Sequence, residues 1–138
     1  MQTQEGTIKL VADVAVFSKG KTLLAKYANA ENYNGQTGWF IPDDLIAFGE
    51  ALEDAAKRIL KEQLGIENTE VQFCFHESFI GMDKSWHLVF HFKAEVENDS
   101  VKQSSDIETQ WFAINSLPDK KDVSHHGWAL YMLETILG

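Results

Sequence analysis

Cysteine is almost absent from this chain: Cys74 is the only one in 138 residues. A lone cysteine excludes an intramolecular disulfide, which suits a reducing compartment. Arginine is just as scarce, with Arg58 the sole example. No apolar run approaches the roughly 20 residues that span a bilayer, so no membrane-crossing helix is expected. The opening Met1-Gln2-Thr3-Gln4-Glu5-Gly6 has neither a basic start nor an apolar core. A secretory leader is therefore not expected, and a cytoplasmic location is. Positive charge is also in short supply, with 12 Lys+Arg against 21 Asp+Glu and a formal net charge of −9. Such a surface repels a phosphodiester backbone and argues against duplex nucleic acid as a partner. Gly-rich phosphate loops, zinc-ligand spacings, nucleophile elbows, internal repeats and low-complexity stretches are missing too.

What remains is ordinary globular composition, 44% hydrophobic and 24% charged, at a length that suits one domain over 1–138. Leu10 to Phe17 is a β-branched run that reads as a strand. Ser18-Lys19-Gly20-Lys21 is a tight turn, and Thr22 to Tyr27 returns as the second arm of a hairpin. Residues 28–38 read as a loop, and Trp39-Phe40-Ile41 as a short strand stopped by Pro42. Leu52 to Leu64 is the clearest helix: Leu52, Ala55, Ala56, Ile59, Leu60 and Leu64 recur at spacings of three and four. Glu50, Glu53 and Asp54 crowd its N-terminal end, and Gly65 stops it.

Two long strands follow, Val71 to Ile80 and Trp86 to Val96. In the second, Trp86, Leu88, Phe90, Phe92 and Ala94 share the face expected to be core, and His87, Val89, His91, Lys93 and Glu95 share the other. His87 and His91 are four strand residues apart, roughly 13 Å, too far to chelate one ion. Glu108 to Ala113 is a further strand, and His126 to Leu137 a closing helix with Ala129, Leu130, Leu133 and Ile136 inward. The element order implies an α/β (α+β) fold, a mixed β-sheet between helices.

The segment Trp39 to Ile66, WFIPDDLIAFGEALEDAAKRILKEQLGI, resembles the Nudix box, a loop–helix–loop. Its pattern is Gly, five residues, Glu, seven residues, then R-E-U-x-E-E-x-G-U with U aliphatic. Aligned on Gly65-Ile66, Glu50, Arg58, Leu60 and Glu62 fall where the pattern wants them. A Trp-x-x-Pro lead-in precedes the box, a hairpin ending in Lys26 lies upstream, and Glu108 to Phe112 with Leu117-Pro118 resembles the family's late strand and turn. Four positions depart: Asp43-Asp44 stand for a Gly-Gly pair, Ile59 for the Glu after the arginine, and Gln63 for the second Glu of the E-E pair.

The resemblance implies a Nudix-like α/β/α sandwich and hydrolysis of a nucleoside diphosphate linked to another moiety. Mg²⁺ or Mn²⁺ would be held by box carboxylates and by the carbonyl of the first glycine. Carried onto this chain, the metal candidates are Glu62, Asp43 and Asp44, and the catalytic candidates are Glu62, Arg58, Asp106 and Glu108. Lys26, Trp39 and Gln63 are the substrate-binding candidates. Asp43-Asp44 reads either as replacement ligands or as an exposed turn, and Gln63 either as pocket lining or as a structural hydrogen bond.

Hard cations need oxygen ligands, and Ile59 supplies none while Gln63 supplies only a neutral carbonyl. The GDP-mannose mannosyl hydrolases are similar in carrying an aliphatic residue at the Ile59 position, with a late-loop histidine as base. Here that loop offers Ser105 and Asp106. His125 or His126, before the last helix, is the nearest histidine candidate. Two functions stand: a small-molecule nucleotide hydrolase with altered catalysis, and a non-catalytic module that binds a nucleotide or a protein. The resemblance also implies that a homodimer is common.

Overall fold

The structure, a computed structural model, describes residues 2, 4–29 and 37–138. Residues 30–36 of the expected loop thus lie outside the described residues. β1 (Ile8–Ser18) turns through Lys19 and Gly20, both at positive φ, into β2 (Lys21–Tyr27). Two central residues at positive φ make a turn whose twist matches the strands it joins. β3 (Asp43–Leu45), α1 (Leu52–Leu64), β4 (Gln72–Ile80), β5 (Trp86–Glu95) and β6 (Ile107–Ala113) follow, and α2 (Ser124–Leu137) comes last.

Among the described residues the strands form one six-stranded sheet in the order β4-β5-β1-β2-β6, with β3 beside β1. β1 pairs parallel with β5 along ten residues, from Ile8 opposite Trp86 to Phe17 opposite Glu95. The other ladders are antiparallel. The sheet is therefore mixed, as expected.

α1 buries Ala55, Ala56, Ile59, Leu60 and Leu64 against Val14, Val16 and Phe92 on one face. Each fully buried Ile or Leu stabilises by about 2 kcal/mol. Gly65 ends the helix in the left-handed region at φ 70, and the N–H of Ile66 reaches Leu60 O. α2 covers the opposite face, packing Ala129, Met132 and Leu133 on Ala15, Leu24, Phe40 and Ile41. Among the described residues no helix is long and apolar enough to cross a membrane.

Two expectations need correction. The strand expected at Trp39–Ile41 is reduced to single bridges, Phe40 to Ala25 and Trp39 to Val123, and the ladder lies beyond the proline at Asp43–Leu45. Pro42 lacks an N–H but its carbonyl accepts the N–H of Val14. The chain uses that residue to cross from pairing with β2 to pairing with β1. The second correction concerns β5. Its supposed outer face is buried at His87, Val89 and His91, whereas Trp86 is 38% exposed. α1 covers Phe92 and Ala94 but not the start of the strand, and the histidine face meets Asp13 and Trp128 instead.

Candidate functional site

The lone arginine organises the turn before α1. Arg58 Nε and Nη2 donate to the two carboxylate oxygens of Glu50 at 2.8 and 3.1 Å. Nη1 donates to Asp44 at 2.9 Å, and Nη2 to Leu45 O at 2.8 Å. Glu62, one helical turn on, lies 3.6 Å from Nη1. The planar fork of the guanidinium suits this arrangement. Hydrogen bonding from Arg58, reinforced by the N–H of Ala47, holds the Glu50 carboxyl below its usual range.

The neighbouring substitutions make a closed unit. Gln63, buried on α1, donates its amide to Asp43 O at 2.8 Å, and its own carbonyl accepts from Tyr27 Oη at 2.9 Å. The N–H of Asp43 completes the ring by donating to Tyr27 Oη at 2.9 Å. A neutral amide therefore sits on the backbone carbonyl that the box pattern assigns to a metal. Ile59 is fully buried in the α1 core.

These residues do not fit a divalent cation. Asp44 and Glu62 both approach Arg58 Nη1, so a guanidinium already fills the space between them. The Asp43 carbonyl is already bonded, and six or so oxygen ligands are required. Among the described residues no group of three His, Cys, Asp or Glu side chains is placed to hold a metal. Asp43-Asp44 is not an exposed turn: Asp43 is 7% exposed and both residues belong to β3.

The remaining candidates are dispersed. Lys26 Nζ lies 4.5 Å over the Trp39 ring, which is buried edge-on to Phe112. Glu108 is exposed on β6 opposite Lys26. Asp106 is exposed in the preceding loop, with its N–H on Ser104 Oγ. Cys74 is half-buried, and that burial pushes its thiol pKa up.

What sequence reasoning missed lies on the α2 face, in a cleft of about 1470 Å³ that reaches from Asp43 across β1 to β4. Asp13, buried in β1, has Asp43 as its register partner on one side and His91 on the other. His91 Nδ1 lies 2.8 Å from both oxygens of Asp13, and an ionised Asp13, which can only accept, requires the tautomer with its hydrogen on Nδ1. Burial pushes the Asp13 carboxyl up, and the His91 hydrogen bond opposes that shift. Glu77 on β4 faces His91 Nε2 at 3.5 Å. Phe40, Phe79 and Trp128 supply aromatic walls, and the exposed Lys120, Lys121, His125 and His126 form the rim. A second cleft of about 820 Å³, between the α1–β4 loop and the end of β5, has no aromatic wall.

The rim is built on unusual backbone. His125, His126 and Gly127 are all left-handed, at φ 53, 58 and 83, so α2 is right-handed only beyond them. Two non-glycine residues in that region are strained, a feature that clusters at binding sites. His125 is exposed as a residue, yet its ring lies 5.7 Å from that of Phe40 and 6.3 Å from that of Trp128. Partial desolvation lowers its imidazole pKa.

Gly38 fixes the start of this turn: its N–H donates to Ser124 Oγ, and that hydroxyl donates back to Gly38 O. A Cβ there would stand 2.7 Å from Asp122 O and 2.9 Å from Ser124 N, both backbone. Gly38→Ala is expected to cost about 2 kcal/mol. It should also displace the rim, checked by thermal melting and by lost affinity for ligands of the cleft.

Residues 8–132 match the family described as NUDIX domain. No curated protein is significantly similar. The chain is similar to a MutT NUDIX hydrolase from Burkholderia pseudomallei (TM-score 0.77, 21% identity, covering 95% of this chain and 99% of that one). It is similar as well to the NUDIX domain of Shewanella oneidensis NrtR in complex with ADP ribose (TM-score 0.73, 16% identity, 96% and 87% covered). A C. elegans Ap4A hydrolase binary complex is a third neighbour (TM-score 0.67, 19% identity, 94% and 97% covered).

Proposed function

Because the chain belongs to the NUDIX domain family, we propose that it binds a nucleoside diphosphate derivative in the α2-face cleft, with weakened hydrolysis. A nucleotide sugar is within this class. The polarity of the cleft carries the reading: buried carboxylates at the floor, aromatic walls, and exposed lysines at the rim. A base offers N–H donors and a stacking face, and its diphosphate offers negative charge, so each end of a nucleotide finds its complement. Two fold neighbours whose names carry ADP ribose and Ap4A support the ligand class.

Nudix hydrolases generally use divalent metal ions. The Gln63 amide on Asp43 O favours a second reading, in which the chain binds its nucleotide without turnover. Lys120 and Lys121 then carry the phosphate charge that a metal would otherwise meet.

Calorimetry of nucleoside diphosphates, in EDTA and in Mg²⁺, tests binding, and a release assay on wild type and Glu62→Gln tests turnover. Affinities are expected to agree within about threefold with and without the metal, because the cleft's own cations bind the phosphate. Weak turnover that Glu62→Gln abolishes supports the hydrolase; binding without turnover supports the module. Absence of nucleotide binding, or binding that requires Mg²⁺, overturns the proposal.

A further inference from the structure

The Asp13–His91–Glu77 row is a chain of ionisable groups that box chemistry does not use. His91 is fully buried, and its Nε2 is a buried nitrogen without a hydrogen-bond partner among the described residues. Asp13 fixes the ring through its hydrogen bond with Nδ1. With that orientation set, Nε2 points at Glu77 Oε2 from 3.5 Å, near but beyond a hydrogen bond. Glu77 keeps 26% of its side chain exposed and lines the cleft. Its carboxylate receives no hydrogen bond from a described residue, and Asp13 lies close enough to interact with it electrostatically. The cleft floor therefore holds a surplus of acceptors.

The walls decide what shape can use those acceptors. Phe79 is two residues beyond Glu77 on the same face of β4, with its ring 5.3 Å from Trp128 and nearly perpendicular to it. Phe79 already stacks on the His87 ring at 5.1 Å but is 37% exposed, so a flat ring can pack against its open side while its edge meets Glu77. An ionised carboxylate presents two acceptors side by side and no donor. Among nucleobases, guanine has two adjacent donors, N1–H and the 2-amino group. Adenine and cytosine place a donor beside an acceptor, hypoxanthine lacks the amino group, and uracil flanks its single N–H with carbonyls.

We propose that Glu77 is the base-reading residue of the cleft and selects a guanine edge, with His91 and Asp13 as positioning residues. The inference rests on the nucleotide reading above. Asp13 orients the His91 ring, and Nε2 stands 3.5 Å beneath the Glu77 carboxylate, so the row backs Glu77 from below while its outer face meets the base.

Calorimetry with GDP, IDP and ADP in EDTA, on wild type, Glu77→Gln and His91→Phe, tests it. Wild type is expected to bind GDP about tenfold more tightly than IDP, the effect of one charge-assisted hydrogen bond. Glu77→Gln, on an edge strand that tolerates it, should bring GDP within about threefold of IDP, with the larger loss of affinity falling on GDP. His91→Phe, checked for folding by circular dichroism, should lower the GDP/IDP ratio in the same direction. A structural role alone would weaken all three nucleotides equally. Equal binding of GDP and IDP by wild type, or tighter binding of ADP, overturns the inference and leaves the nucleotide reading standing. Failure of all three to bind overturns both.

Discussion

Gln63→Glu is expected to destabilise the fold by about 3 kcal/mol at neutral pH without metal. The cost has two parts. The amide N–H that reaches Asp43 O at 2.8 Å is lost, and the buried carbonyl gives up its shorter hydrogen bond, keeping Tyr27 Oη at 3.3 Å. A carboxylate oxygen then faces that carbonyl, both of them acceptors. For a chain of this length the melting temperature should fall by about 10 °C.

The sign of the pH dependence follows. Burial raises the pKa of the introduced carboxyl, so the penalty is smallest where it is protonated and grows as pH rises. Millimolar Mg²⁺ should restore several degrees to the variant and nothing to wild type, because only the variant places a new carboxylate beside Asp43 O and Glu62. Thermal melts at pH 5 and pH 8, with and without Mg²⁺, check it. A variant as stable as wild type in EDTA contradicts the role given to the amide.

Arg58→Ala should cost about 2 kcal/mol, a figure already reduced for the partial exposure of the cluster. It removes four hydrogen bonds and leaves Glu50, Asp44 and Glu62 facing one another. Arg58→Lys should recover less than half, since an ammonium cannot bridge both Glu50 oxygens and Asp44 in one plane. The wild type should also lose stability in acid. A carboxylate whose pKa is depressed in the folded state stabilises above its unfolded pKa, and that contribution disappears as pH falls through the folded value. Glu50 is such a group, so Arg58→Ala should flatten the acid limb of a denaturation profile. An unchanged acid limb sinks this part.

The helix of the box was legible because its signals are local. Apolar spacing, acidic residues at the start and Gly65 at the end give Leu52–Leu64 as both the expected and the observed span. β1 and β5 were legible for the same reason. The strand at Asp43–Leu45 was not, because two aspartates have no strand propensity and pair only where β1 presents a free edge.

The candidate site divides along the same line. Glu50, Arg58 and Glu62 were readable from spacing and do cluster, but around a guanidinium. Whether Gln63 was lining or structure depended on Tyr27, 36 residues away, which no local pattern connects to it. Asp13, His91 and Glu77 were invisible for a related reason. An aspartate inside an apolar strand was a signal, and its meaning required the parallel register that sets it beside His91. The left-handed turn at His125–Gly127 had no sequence mark beyond one glycine.

The most direct measurement is a crystal structure of the chain with a bound nucleoside diphosphate, grown in Mn²⁺. The expected result is the nucleotide in the α2-face cleft, the Gln63 amide still on Asp43 O, and no ion at that carbonyl. A Mn²⁺ ion bridging Asp43 O, Glu62 and the phosphates, with Gln63 turned away, would contradict it.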